Sequence, residues 1–326
     1  MPVKSGGMAS QQPRQHEVTI VVNPRSGRGR AARLLPQVIR AMGETLPDSQ
    51  IRVHSTSSYA DARTRTATTV AQSLPPEPGQ RPDVLVMMGG DGMASLGLNA
   101  CAGSHLQLGI IPAGTGDDFA RGVGIPRDPL RAAAAIAAGR TRRIDLTLAR
   151  GEIDGGAQQR YVGTVVSSGY DAKVNFRVNQ SRINFGALSY ASAVLLEMAQ
   201  LKPLNYRLTI DGEYREIPAV LAAVGNAGFF GGGVHICPQA DPADGLLDVT
   251  LIGPVSRWTL VRLFPLLYRG DFIHHPALTF LRAREVLLDG DGLVPMADGE
   301  MLGEVPLRLT CAPNVLEILV GEAFAE

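Results

Sequence analysis

Apolar and polar positions change their pattern roughly halfway along the chain. In the first half, short apolar runs alternate with longer amphipathic stretches. Glu17–Val22 (EVTIVV), Ile51–His54, Val84–Met88, Leu108–Ile111 and Arg142–Ala149 predict strands. Arg28–Met42, Ser55–Gln72, Met93–Ala102 and Leu130–Ala138 predict the helices between them, and Leu74–Arg81 (LPPEPGQR) an exposed linker. Strands alternating with helices predict a doubly wound parallel α/β domain over residues 17–149.

Beyond Arg150–Arg160 the pattern turns to strands: Tyr161–Ser167, Tyr206–Ile210, Tyr214–Val224, Leu246–Leu251, Val286–Leu288 and Val305–Thr310. Helical stretches at Ala187–Leu201 and Arg257–Tyr268 interrupt them. Residues 150–310 are therefore expected to form an antiparallel, β-rich domain. Trp258, Leu260, Leu263, Phe264 and Leu267 give the second stretch an apolar face, read as core packing ahead of lipid contact. Residues 1–16, polar and without an apolar core, predict a disordered tail.

Composition narrows the partners. The 326 residues carry 31 basic and 31 acidic side chains, and without a long basic run a nucleic-acid partner gains no support. The nearest approach to a membrane span, Ile217–Val234, is broken by Pro218, Asn226 and several glycines. Three scattered cysteines, Cys101, Cys237 and Cys311, fit reduced thiols in a cytoplasmic protein.

Candidate chemistry sits where two first-half strands end. Val84–Met88 breaks at Gly89-Gly90-Asp91-Gly92, and Leu108–Ile111 breaks at Pro112-Ala113-Gly114-Thr115-Gly116. In a parallel sheet both turns fall on one carboxyl edge, where such folds bind ligands. Glycines let backbone N–H groups approach an anion, while Asp91, Asp117 and Asp118 would repel bare phosphate. A nucleotide with magnesium answers both conditions. Asn23-Pro24-Arg25-Ser26-Gly27 makes a third strand-to-helix turn, a phosphate-binding geometry or a plain connection. Gly27-x-Gly29-x-x-Ala32 also fits a loose dinucleotide fingerprint, with Glu44 or Asp48 as ribose acid, although Pro24 separates it from the strand.

Gly-Gly-Asp-Gly followed by Pro-x-Gly-Thr-x-x-Asp-Phe-Ala-Arg resembles the diacylglycerol kinase catalytic-domain family, which includes bacterial lipid kinases and the sphingosine and ceramide kinases. The resemblance implies an NAD-kinase- and phosphofructokinase-like α/β domain, a β-rich sandwich for the lipid, and a last strand (Val315–Val320, within 311–326) returning to the first domain. It implies ATP and magnesium as cofactors. It places Asn23, Pro24, Arg25, Ser26, Gly27, Thr56, Gly89, Gly90, Asp91, Gly92, Met93, Gly114 and Thr115 around the nucleotide. Asp118 would join the active centre.

Seven Asp-Gly pairs occur, and among strands such a pair is by default a hairpin turn. Asp211-Gly212, between RLTI and YREI, fits that default. Asp298-Gly299-Glu300 lies where the family places a functional Asp-Gly-Glu, which implies Asp298 as proton acceptor, with Asp91 as rival, and Glu300 as a magnesium or active-site carboxylate. Asn226–Val249 also matches, which implies a structural magnesium held by Asp244 and carbonyls around Asp241 and Leu246. Ser168–Ala172 matches a further family element of no assigned role. Met93 stands where the family has threonine and Asp117 where it has asparagine. The expected activity is ATP-dependent phosphorylation of a lipid hydroxyl, diacylglycerol first, by a cytoplasmic enzyme that visits the membrane peripherally; phosphatidylglycerol, sphingoid bases and ceramide are the other acceptors. A soluble-substrate kinase of the NAD-kinase type, a non-catalytic regulator and a homodimer remain open.

Overall fold

A strand covered by helices on both faces has no side for polar residues, and the central strands here have almost none. Val18–Val22 and Val84–Gly89 are buried without interruption. β1 (Glu17–Val22) pairs in parallel with β2 (Gln50–Ser55) and β3 (Val84–Gly89), and β3 with β4 (Gln107–Pro112). The computed structural model describes residues 15–169, 203–269 and 274–322. The tail to residue 14 and the expected helix Ala187–Leu201 lie outside the described residues.

The helices start where local chemistry allows. α1 (Ser26–Thr45) opens through Gly27, Arg28 and Gly29, all left-handed, so its regular part begins later than the predicted Arg28. α2 (Tyr59–Gln72) begins after Ser58, whose hydroxyl accepts the Asp61 N–H at 3.1 Å; the predicted start at Ser55 is displaced by that cap. α3 (Asp91–Cys101) and the short α4 (Asp118–Gly122) follow the two glycine turns directly. Asp128 caps α5 (Pro129–Ala138) by accepting from Leu130 and Arg131, and left-handed Gly139 ends it. α1 packs with α5, and α2 with α3.

The second half departs from the predicted segmentation in three places. β5 runs from Thr141 to Ile153, through the stretch where composition changes, and turns back at Asp154–Gly156 into β6 (Ala157–Val162). The predicted strand Tyr161–Ser167 is broken at Gly163-Thr164, so β6 stays in the first sheet and β7 (Val165–Gly169) joins a second. Likewise Tyr214–Val224 divides at Val220: β9 (Glu213–Ala219) pairs with β8 (Leu204–Ile210), whereas β10 (Leu221–Gly225) pairs with β7. Continuous strand-forming residues do not by themselves reveal where a strand leaves one sheet for another.

A two-strand ribbon, β11 (Phe229–Phe230) and β12 (Val234–His235), precedes β13 (Leu247–Ile252). Helix α6 (Arg257–Leu267) then leads to β14 (Leu278–Ala283), β15 (Glu285–Asp289), β16 (Pro295–Ala297) and β17 (Glu300–Met301). The closing β18 (Leu307–Leu319) merges the predicted strands Val305–Thr310 and Val315–Val320 across an irregularity at left-handed Asn314. β18 pairs in parallel with β4 at Ile318 and antiparallel with β5 and β15, so one ten-stranded sheet joins the two halves. The six-stranded sheet β14-β13-β10-β7-β16-β17 lies against it over a core of Tyr206, Leu208, Val286, Leu309, Val224 and Val249. The expected class, a parallel α/β half and an antiparallel β-sandwich half, is the observed one.

Candidate active site

Three strand-to-helix turns converge at the carboxyl edge of the parallel sheet. A Cβ on Gly114 would lie 2.5 Å from the Gly90 Cα, and one on Gly27 would lie 2.3 Å from the Ala113 carbonyl oxygen. The turns after β1, β3 and β4 are thus in backbone contact, an approach only glycine permits. Asn23 shapes the first turn, its side-chain oxygen accepting the Arg25 N–H at 3.1 Å. Ser26 adjoins Gly89, while Pro24, Arg25, Gly92 and Thr115 lie on the three turns themselves.

Thr56 is buried, and its hydroxyl donates to the Val22 carbonyl at 3.0 Å, tying β2 to β1; the helix cap is Ser58. The Met93 side chain is buried against Gly89.

The acidic centre lies beneath the turns. Asp91 opens α3 and accepts the Phe119 N–H at 3.2 Å. Burial, the neighbouring Asp118, and further off Asp117 and Asp298 push its carboxyl up to about 6. Asp118 is raised by burial against the N–H groups of Gly232 and Gly233, the first of them 2.7 Å from its Oδ2; its Oδ1 is buried without a partner. Asp118 is the first residue of α4, so it does not cap that helix. Asp117 holds a left-handed conformation and accepts the Gly114 N–H at 3.1 Å, which fixes the second turn; burial raises its carboxyl too.

Asp298 comes from the far end of the chain. Asp298 and Gly299 are both left-handed and turn β16 into β17, so the Asp-Gly pair is a hairpin, with the Asp298 side chain turned inward. The Asp298 carboxylate is 2 % exposed; Oδ1 accepts from the Thr164 hydroxyl at 2.8 Å, and Oδ2 lies 3.5 Å from the Arg160 guanidinium without a hydrogen bond. Arg160 also donates to Ser95 on α3 at 3.1 Å. Glu300 is exposed beside Tyr59, whose hydroxyl is raised mainly by burial. Sequence reasoning missed Arg160 and Thr164. They occupy an unremarkable strand and the break after it, and only the sheet pairing carries them to Asp298.

Among the described residues no three acidic, histidine or cysteine side chains form a closed metal cage. The partnerless Oδ1 of Asp118 and the mutual repulsion around Asp91 suit a magnesium ion that keeps waters and phosphate oxygens in its shell. The loop at 241–246 fits a cation less well. Asp241 pairs with Arg142 at 2.9 Å and accepts the Ala243 N–H; Asp244 pairs with Arg282 and accepts the Leu246 N–H. Its anchor is Asp145, buried, which accepts from Gly245 and Asn314, each at 2.7 Å. Asp211-Gly212 is the expected plain hairpin between β8 and β9. Two small cavities, about 120 and 90 Å³, lie by His16 and Arg81 at the amino edge, away from the aspartates.

Glycine turns, buried aspartates and a sandwich-borne hairpin acid define a kinase built on the NAD-kinase type of fold. Residues 17–149 match the diacylglycerol kinase catalytic domain and residues 164–320 the YegS C-terminal NAD kinase beta sandwich-like domain. A diacylglycerol kinase of Mycobacterium tuberculosis (strain H37Rv) is 37% identical over 318 residues, 96% of this chain and 98% of that one. The crystal structure of a diacylglycerol kinase from Bacillus anthracis superposes with a TM-score of 0.70 at 19% identity, over 96% of this chain and 100% of that one. Yeast NADH kinase shares the fold at a TM-score of 0.53 and 13% identity, over 97% and 86% of the respective chains. The chain belongs to the diacylglycerol kinase family and is a lipid kinase of the nucleotide-using type.

Proposed function

We propose that the protein transfers the γ-phosphoryl group of ATP, with magnesium, to the free hydroxyl of diacylglycerol, giving phosphatidic acid and ADP. The observation that carries this reading is that Asp118 lies beside Asp91 at the nucleotide edge while Asp298, carried by the sandwich hairpin, lies near enough for its charge to act on the Asp91 carboxyl. The bond formed joins the lipid oxygen to phosphorus, the bond broken joins phosphorus to the β,γ-bridging oxygen, and the lipid hydroxyl proton passes to a carboxylate. Asp298 is the proposed acceptor, its Oδ1 held by the Thr164 hydroxyl and its Oδ2 facing the Arg160 guanidinium. Asp91 is the rival, since burial and its acidic neighbours raise it to about 6.

Magnesium, when bound, spreads charge over the phosphate oxygens. Asp91 and Asp118 would hold it, and the three turns would orient the triphosphate with their backbone. Diacylglycerol kinase relatives favour diacylglycerol; phosphatidylglycerol, sphingoid bases and ceramide are the competing acceptors. The structural magnesium expected at Asp241, Asp244 and Leu246 is left out of this proposal, since Arg142 and Arg282 pair with those two carboxylates.

Phosphate transfer from labelled ATP across a panel of these lipids tests the proposal. Diacylglycerol should be labelled by the wild type. Asp298→Asn should lose about a hundredfold or more in kcat. Labelling of NAD instead of any lipid would overturn the reading.

A further inference from the structure

Helix α6 packs on the outer face of the second sheet. Its Leu267 is buried in a cluster with Leu221, Ala223 and Ile252, and that cluster extends to Phe230 and Val234 of the β11–β12 ribbon. The turn of this ribbon donates the Gly232 N–H to Asp118. One packed layer therefore joins the helix to the acidic centre.

The other side of α6 faces solvent. Trp258, Arg262, Pro265 and Arg269 recur at helical spacing and are all exposed, with Trp258 at 76% and the adjoining Tyr268 at 42%. Leu267 lies half a turn away from Trp258 around the axis, so the two described extremes of burial and exposure fall on opposite sides of the helix. Charge follows the same division. From Val249 to Gly270 the sequence holds three arginines and no carboxylate, until Asp271. An exposed indole among arginines is the composition of a helix lying in a lipid headgroup layer.

The geometry points to α6 as the docking element for an anionic bilayer, with Trp258 at headgroup depth and Arg262 and Arg269 against lipid phosphates. This corrects the expectation of core packing for Trp258, while Leu267 keeps it; the side chains of Leu260, Leu263 and Phe264 lie outside the description. The inference rests on the proposed lipid substrate, since a diacylglycerol must be reached within a membrane.

Trp258 is the single tryptophan of the chain, so intrinsic fluorescence reports on this helix alone. The full chain is titrated with phosphatidylcholine vesicles, with and without phosphatidylglycerol, alongside cosedimentation. A blue shift and protection from acrylamide quenching are expected with anionic vesicles only. Arg262→Gln and Arg269→Gln should each weaken cosedimentation roughly fivefold. Trp258→Ala should weaken it too, while all three variants phosphorylate a dispersed short-chain diacylglycerol at the wild-type rate. Sedimentation of the protein with vesicles at unchanged Trp258 emission would overturn the assignment, as would absence of binding. Shielding of Trp258 that follows protein concentration without vesicles would make this face a contact between two copies and also overturn it. Vesicle binding through Trp258 without phosphate transfer to any lipid would leave the docking helix standing and remove the kinase reading instead.

Discussion

Arg160 Nη2 stands 3.5 Å from Asp298 Oδ2 although 138 residues of chain separate them, and the same nitrogen donates to Ser95 at 3.1 Å. One guanidinium thereby connects β6, α3 and the hairpin turn after β16. A buried carboxylate left without that cation would carry an uncompensated charge. Arg160→Gln is expected to lower kcat about tenfold to a hundredfold with little change in the nucleotide KM. Added to Asp298→Asn it should cost almost nothing more, because both changes disable one unit. Additive losses in that cycle would show that Arg160 serves the fold alone.

Gly114 and Gly90 touch backbone to backbone, so Gly114→Ala forces two nucleotide turns apart. The side chain gained is small, yet a displacement near 1 Å at such a site costs on the order of a hundredfold in kcat/KM. Steady-state kinetics should register this loss while circular dichroism remains native. Gly43→Ala in α1, which meets no atom within 4 Å and lies off the three turns, is the control and should be tolerated.

Asp91 gives the stability of the protein a pH dependence. Its carboxyl is raised to about 6, so the folded state binds that proton more tightly than the unfolded chain. The contribution is complete below about pH 4, the usual carboxylate range, and is lost as pH rises through about 6. Asp91→Asn should therefore raise the melting temperature of the ligand-free protein at pH 7 and flatten its change between pH 4 and 6, while abolishing transfer. Calorimetry across that range decides it. An unchanged or lower melting temperature at pH 7 would contradict the repulsion inferred around Asp118.

Asp145 is a structural carboxylate rather than a reactive one. It accepts from Gly245 and Asn314 and binds the Pro242 carbonyl through its own N–H, uniting β5, the 241–246 loop and the irregularity in β18. Asp145→Asn turns an N–H group toward one of these donors and should destabilise by roughly 2–4 kcal/mol. Urea unfolding measures it. A change below about 1 kcal/mol would mean the loop is held by its arginine pairs instead.

Much of this was legible because glycine and aspartate have few alternatives where they occur. Strand ends followed by Gly-Gly-Asp-Gly and Pro-Ala-Gly-Thr-Gly announced the carboxyl edge, and the apolar runs before them announced a buried parallel sheet. Less legible were positions whose residue type suits several places. Thr56 is one, its hydroxyl donating across the strand pair to the Val22 carbonyl. Met93 is another, its side chain buried against Gly89. Tyr214–Val224 could have been one strand, since no turn residue marks the corner at Val220.

By itself the sequence determined the order of strands and helices in the first half, the three glycine turns, and the acids available to them, since each follows from local backbone freedom and short-range periodicity. The return of the last strand was implied by family resemblance; only the tertiary structure decided that it is one long β18 pairing with β4, β5 and β15, that Arg160 and Thr164 reach Asp298, and that Trp258 is left in solvent. Those outcomes depend on strand pairing between distant segments. Pairing is settled by the packing of whole sheets against each other, a quantity that no short stretch of residues carries.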